Sequence, residues 1–170
     1  MSDSSYQRVM IIGPSSSGKS TLALKLGEQL KAPVLHLDQI AHKPNTHWER
    51  TPIEDFVAKH DTFIEQPTWV VEGNYSVCMP QRIAAADVVI WCDPSLLGCL
   101  WRYARRSFNA APDRAGRLEG AKGEFSWKLI LYTVRQYPRN KLKYQKFLAD
   151  SPDTPLIHLK KFSDIKKFSL

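Results

Sequence analysis

A chain of 170 residues with 43% hydrophobic and 24% charged residues has the make-up of one globular domain, because covering both faces of a small sheet takes roughly 100–200 residues. This excludes wholesale disorder and repeat arrays, and the 24 Lys and Arg against 17 Asp and Glu, a net charge of +7, call for an anionic partner: nucleic acid, or the clustered phosphates of a nucleotide. Apolar runs far shorter than the ~20 residues that cross a bilayer, a polar N-terminal segment without a secretory h-region, and three cysteines without CxxC spacing point to a cytoplasmic protein with reduced thiols, no structural metal and no membrane.

In chain order, residues 9–12 (VMII) form a wholly apolar run ending at Gly13, the profile of a strand buried on both faces of a parallel sheet. Residues 20–30 suit a helix packed on it, and residues 34–37 a second strand. The loop from Asp38 through Trp48 carries two turn signals, Pro44 and Asn45. A helix is expected over 53–65, a third strand over 69–71 ending at Glu72 and Gly73, and a fourth over 87–92 ending at Asp93 and Pro94. Ser95 can cap the next helix, with Leu96, Leu97, Leu100, Trp101 and Ala104 as its buried stripe and Arg102, Arg105 and Arg106 together on another face. The polar, glycine-containing stretch 109–124 reads as a mobile loop, residues 125–137 as a helix that stops at Pro138 or continues past it, and residues 155–159 as a fifth strand before a short last helix. Strands alternating with helices argue for right-handed crossovers and a parallel sheet with helices on both faces, with ligands at the carboxyl ends of its strands.

Gly13-Pro14-Ser15-Ser16-Ser17-Gly18-Lys19-Ser20 fits the P-loop pattern between a strand and a helix, the context that gives the pattern meaning. Glycines let the backbone wrap phosphates, and successive N–H groups with the helix N-terminus bind the anion. Gly13, Ser15, Ser16, Ser17, Gly18, Lys19, Ser20 and Thr21 are therefore the expected nucleotide-binding residues, with Lys19 on the β/γ oxygens and Ser20 on Mg²⁺. A second acid holds the water shell of such a metal, and Glu72 is the candidate; the alternative is an ordinary strand-end carboxylate. Asp93 explains itself as turn and cap chemistry. Asp38 is placed to orient or deprotonate an acceptor hydroxyl, or simply caps a loop. Arg102 and Arg106 are candidates for neutralising charge on transferring oxygens, the alternative being a solvated basic face. The absence of an Asn-Lys-x-Asp run tilts the base preference to ATP.

Together with LDQIAHKPNTHW at 37–48, WVVEGNY at 69–75, ADVVIWCDPS at 86–95, LWRYARR at 100–106 and FSWKLILYTVRQYPRNK at 125–141, the P-loop segment resembles the adenylate-kinase-like branch of P-loop kinases. More narrowly, the chain resembles the DNA topology modulation and flagellar-regulation-related ATPases. The resemblance implies a three-layer fold with a five-stranded parallel core over the single domain 1–170, nucleoside-monophosphate-kinase-like. It also implies an acceptor-binding segment at about 38–68 and an arginine-bearing lid at about 107–124. Carried over by position, Asp38, Gly73 and Arg82 would face the acceptor, and Arg102 and Arg106 the phosphates. The third strand ends in Glu-Gly-Asn-Tyr where adenylate kinases carry Asp-Gly-Phe-Pro-Arg.

The function expected from these features is transfer of the γ-phosphoryl of Mg-ATP to a nucleotide or other small acceptor. The alternative is a nucleic-acid-associated ATPase or nucleotide-dependent regulatory protein. It draws on Arg135, Arg139, Lys141, Lys143 and Lys146, interleaved with Tyr137, Tyr144 and Phe147.

Overall fold

Apolar runs bounded by glycine, proline or acids must find backbone partners once buried, so they assemble into a sheet. The computed structural model describes residues 6–46, 48–108 and 126–170. Five runs pair in it: β1 (Arg8–Ile12), β2 (Val34–His36), β3 (Trp69–Glu72), β4 (Val88–Cys92) and β5 (Leu156–Leu159). Every pairing is parallel and the order is β2-β3-β1-β4-β5, with fully buried Val9, Met10, Ile11 and Ile12 at the centre. The helices between and after them are α1 (Lys19–Leu30), α2 (Leu37–Ala41), α3 (Ile53–Ile64), α4 (Met79–Ala85), α5 (Leu96–Phe108), α6 (Trp127–Ala149) and α7 (Phe162–Lys167).

Alternation along each strand divides the core into two. Val9, Ile11, Val70, Val88 and Ile90 meet Leu22, Ala23 and Leu26 of α1 and Ile165 of α7. Met10, Ile12, Val71, Val89 and Trp91 meet Leu37, Phe56, Met79, Ile83 and Tyr144 from α2, α3, α4 and α6. Burying a Leu or Ile side chain this way stabilises the fold by about 1.5–3 kcal/mol, so the three-layer α/β arrangement expected from the pattern is also where the hydrophobic gain lies. Register sets the site: His36 lies opposite Glu72 across β2–β3, and Ile11 opposite Glu72 across β1–β3.

Local structure departs from the sequence reading at Asp38 and on α5, adds a segment before residue 87, and takes one of the two alternatives at Pro138. Asp38, expected in a loop, lies in the first turn of α2, where the positive end of the helix favours an acid. The sequence shows no helical stripe before residue 87, yet a 3-10 turn (Ser76–Cys78) leads into α4, whose seven residues with Pro80 in the first turn are too few to display a period. On α5 the buried residues are Cys99 and Tyr103, while Leu97 and Trp101 are 80% and 61% exposed. Gly98 decides that rotation, since a Cβ there would lie 2.5 Å from the Phe162 ring of α7. Helix α6 runs straight through Pro138. The proline costs about 3 kcal/mol, but Tyr137, Lys141 and Tyr144 anchor the helix on both sides of it.

Cys78, Cys92 and Cys99 are free and buried, and burial pushes the thiols of Cys92 and Cys99 up to about 12 and about 11. Among the described residues no helix is long and apolar enough to cross a membrane. The expected lid lies outside the described residues except for Ser107 and Phe108, which end α5.

The packing of α1 on β2 is tight enough to test. A Cβ on Gly27 would lie 2.3 Å from Val34 Cγ2 and 3.2 Å from Ala32 O. Gly27→Ala is expected to cost about 1–3 kcal/mol by urea denaturation, and Val34→Ala in the same chain to recover part of that loss.

Candidate active site

The P-loop leaves β1 at Gly13, whose φ of +149° and a virtual Cβ only 2.2 Å from Cys92 O admit glycine alone. It re-enters regular structure at Gly18, which caps α1 with φ +101°. Asn74, just past β3, grips the loop from the side: Gly13 N donates to Asn74 Oδ1 at 3.1 Å and Asn74 Nδ2 donates to Gly13 O. Ser15 and Lys19 line the cavity described below. The hydroxyls of Ser16 and Ser17 are buried without a partner among the described residues, a costly state that a bound oxyanion would relieve. Thr21 is exposed on α1 and does not line the cavity.

Glu72 is 2% exposed at the end of β3. Its Oε1 accepts from Ser20 Oγ at 2.8 Å and lies 2.9 Å from His36 Nδ1, and its Oε2 lies 3.9 Å from Lys19 Nζ. Burial alone would raise this carboxyl, yet the Lys19 charge and the hydrogen bonds from His36 and Ser20 hold it below the usual range. An ionised carboxylate whose buried Oε2 has no hydrogen bond, beside a Ser hydroxyl at the phosphate cradle, is a donor set that fits a hard divalent cation such as Mg²⁺. The atoms of His60, Asp61 and Cys78 also cluster within 4.8 Å, but the buried Arg82 guanidinium acts on His60 and Cys78 and opposes a cation there.

From Lys19 a cavity of about 1130 Å³ extends to Asp38, Arg50, Phe56, Gly73 and Tyr75 on one wall and Asp93, Arg106 and Lys141 on another. Asp38 is exposed at its far end and accepts the Tyr75 hydroxyl on Oδ1 at 2.8 Å. Burial first, and then the Asp38 charge, raise the Tyr75 phenol far above its usual range, so it remains a donor. Asp93 is far more than turn chemistry. It is 9% exposed and accepts from Tyr137 Oη (2.9 Å) and Lys141 Nζ (2.7 Å), with His158 Nε2 at 3.1 Å, and His158 stacks on Trp91 at 4.3 Å.

The arginines part company. Arg106 lines the cavity, with its guanidinium 5.8 Å over the Tyr103 ring. Arg102 stands over Phe162 at 4.6 Å, beside Gly18 and outside the cavity, and Arg105 covers Trp101 on the surface. Arg106 and Arg102 therefore have different surroundings, the cavity wall for one and the Gly18 end of the P-loop for the other. Arg82 is also displaced from its expected place: it is fully buried, outside the cavity wall, with Nη2 donating to Gly73 O at 3.1 Å. Burial lowers it to about 10, which still leaves it charged. It supports the Gly73 carbonyl and reaches the cavity only through that backbone contact.

The sequence alone assigned no role to His36, Asn74, Tyr75 or His158, and it placed Tyr137 and Lys141 on a basic surface, not on Asp93. The Glu-Gly-Asn-Tyr run was the available signal, since each of its residues reaches a different element: Ser20 and His36, Arg82, Gly13 and Asp38.

A P-loop between β1 and α1 of a parallel β2-β3-β1-β4-β5 sheet defines a P-loop kinase-like fold. Among solved structures, the chain is similar to a gluconokinase from Sinorhizobium meliloti 1021, with a TM-score of 0.53 and 14% identity over 94% of this chain and 86% of that one. The likeness is one of fold. No protein-family model and no curated protein matches the chain.

For Asp93, burial raises the carboxyl, but the bonds from Lys141, Tyr137 and His158 outweigh it and hold it below the usual value. An acid depressed in the folded state stabilises above its unfolded pKa, and the contribution fades as pH falls through the folded one. Asp93→Asn is therefore expected to destabilise by about 1–3 kcal/mol at pH 7, with the gap to wild type closing as denaturation is repeated below pH 4.

Proposed function

We propose that the chain is a phosphotransferase that moves the γ-phosphoryl of Mg-ATP to a small hydroxyl-bearing acceptor. The observation that carries this reading is the continuity of one cavity from Lys19 in the P-loop to the Asp38–Tyr75 pair. A volume near 1130 Å³ exceeds the roughly 300–1,000 Å³ of an ordinary single-ligand site. The kinase-like fold supports nucleotide as the donor.

Phosphoryl transfer is mostly positioning and charge stabilisation. Residues 13–18 hold the phosphates through backbone N–H groups, and Lys19 neutralises the β/γ oxygens. Ser20 and Glu72 would hold Mg²⁺, which when bound draws charge from the phosphate oxygens. Arg106 adds a cation from α5. Asp38, oriented by the Tyr75 hydroxyl, receives the acceptor's proton as the acceptor oxygen bonds to the γ-phosphorus. The bond to the bridging oxygen breaks, and ADP leaves with its electron pair.

The nucleic-acid reading loses part of its surface, because Tyr137 and Lys141 are engaged by Asp93 and Tyr144 is buried. Stimulation of turnover by DNA or RNA, with no small acceptor giving any, would restore it. ATP consumption across a panel of hydroxyl-bearing metabolites tests the proposal. One acceptor should stimulate it, Lys19→Ala should lower that turnover at least about 100-fold, and Asp38→Asn should lower kcat by about 100-fold or more with little change in the KM for ATP.

A further inference from the structure

The wall of the cavity far from Lys19 carries two residues that the P-loop reading leaves unused. Between α2 and α3 the chain folds back on itself: Lys43 N donates to Glu49 O at 2.8 Å, Thr51 N donates to Ala41 O at 3.0 Å, and His42 pairs with Arg50 as an antiparallel bridge. This strip brings Trp48 and Arg50 to the cavity beside Asp38, Phe56 and Tyr75.

Both residues are held in states that folding alone does not reward. Trp48 has φ +60°, a left-handed conformation that strains a bulky residue. It remains 46% exposed, with its ring edge-on to His42 at 5.2 Å. Arg50 is exposed, and among the described residues no hydrogen bond or ion pair engages its guanidinium. It stands close enough for its charge to act on the Tyr75 phenol, the same phenol that donates to Asp38. Lys143 supplies a second cation on the wall, its Nζ 3.2 Å from Ser76 Oγ.

The far wall is therefore polarised. A carboxylate stands at one point, a guanidinium at another, and an aromatic ring between α2 and α3 offers a flat apolar face. We infer that Arg50 and Trp48 select an acceptor that carries an anionic group, carboxylate or phosphate, on a flat body, with its hydroxyl turned to Asp38 and its anion to Arg50. This rests on the phosphotransferase reading for the word acceptor, while the anion site stands on its own geometry. Asp38 repels a bare anion, so the charge of the ligand is directed to the Arg50 end. The guanidinium fork suits either oxyanion in a two-point contact.

Calorimetric titration of the full chain, without nucleotide, tests this with a matched set: 4-(hydroxymethyl)benzoate, 4-(hydroxymethyl)phenyl phosphate and the neutral 4-(hydroxymethyl)benzamide. One or both anions should bind at least about ten-fold more tightly than the amide, as a charge-assisted pair predicts. The stronger anion tells carboxylate from phosphate. Arg50→Ala should erase the preference and Arg50→Lys should keep part of it, with circular dichroism unchanged because the bridge to His42 is made by the Arg50 backbone and not by its guanidinium. Trp48→Gly should leave thermal stability equal or raised, since glycine accepts φ +60° freely, while weakening all three probes. Equal binding of anions and amide, no binding of either anion, or a preference that survives Arg50→Ala would overturn the inference. The two readings fail separately. Absent phosphoryl transfer leaves an Arg50-dependent anion preference standing, and a kinase indifferent to the acceptor's charge removes the anion site alone.

Discussion

Glu72 is a carboxylate placed where a carboxylate is least welcome, at 2% exposure between the ends of three strands. Desolvating a lone charge costs several kcal/mol, so its partners have to arrive together. Ser20 comes from the first turn of α1, His36 from the end of β2 and Lys19 from the P-loop. Satisfying one charge thus aligns the phosphate cradle with the sheet edge. The three residues that follow extend the same tie outward, with Gly73 held by Arg82, Asn74 holding Gly13, and Tyr75 holding Asp38. A four-residue run thereby ties the P-loop end of the cavity to its Asp38 end.

Asp93 does comparable work on the other side of β1. Its hydrogen bonds to Tyr137, Lys141 and His158 fasten α6 and β5 to the end of β4, and this helps explain why α6 tolerates a proline at its middle. The two carboxylates differ in what surrounds them. Glu72 keeps one oxygen without a hydrogen bond, as do the buried hydroxyls of Ser16 and Ser17 in the P-loop, whereas both oxygens of Asp93 are hydrogen-bonded. That difference separates a candidate ligand-binding acid from a positioning one.

Charge is distributed with similar economy along the cavity. Lys19, Arg106 and Lys141 stand on walls near the P-loop end or α5–α6, Arg50 and Lys143 stand elsewhere on the lining, and Asp38 interrupts them. Arg82, the remaining cation of the region, is withdrawn behind Gly73, where its charge acts through the backbone it supports. The net charge of +7 is thus partly concentrated where phosphates and an anionic acceptor would lie, the arrangement that a field-focusing cleft needs.

The parallel sheet and the P-loop were legible in the chain itself because both are local. Residues 9–12 show burial on two faces, and the Gly13–Ser20 pattern needs only its own backbone to wrap an anion. Strand ends were equally readable, so Asp38, Glu72 and Asp93 could be assigned to one edge of the sheet. Glu72 was readable as the acid that would share a cation with Ser20, but its direct hydrogen bond to Ser20 was not, because the two are 52 residues apart and meet only through strand order and register. The same holds for Asn74 on Gly13 across 61 residues, and for the burial of Arg82. The rotation of α5, which scattered the three arginines, was set by the close approach of Gly98 to Phe162, a contact between distant segments. Periodicity determined which residues could share a face, and long-range packing alone decided where each face pointed.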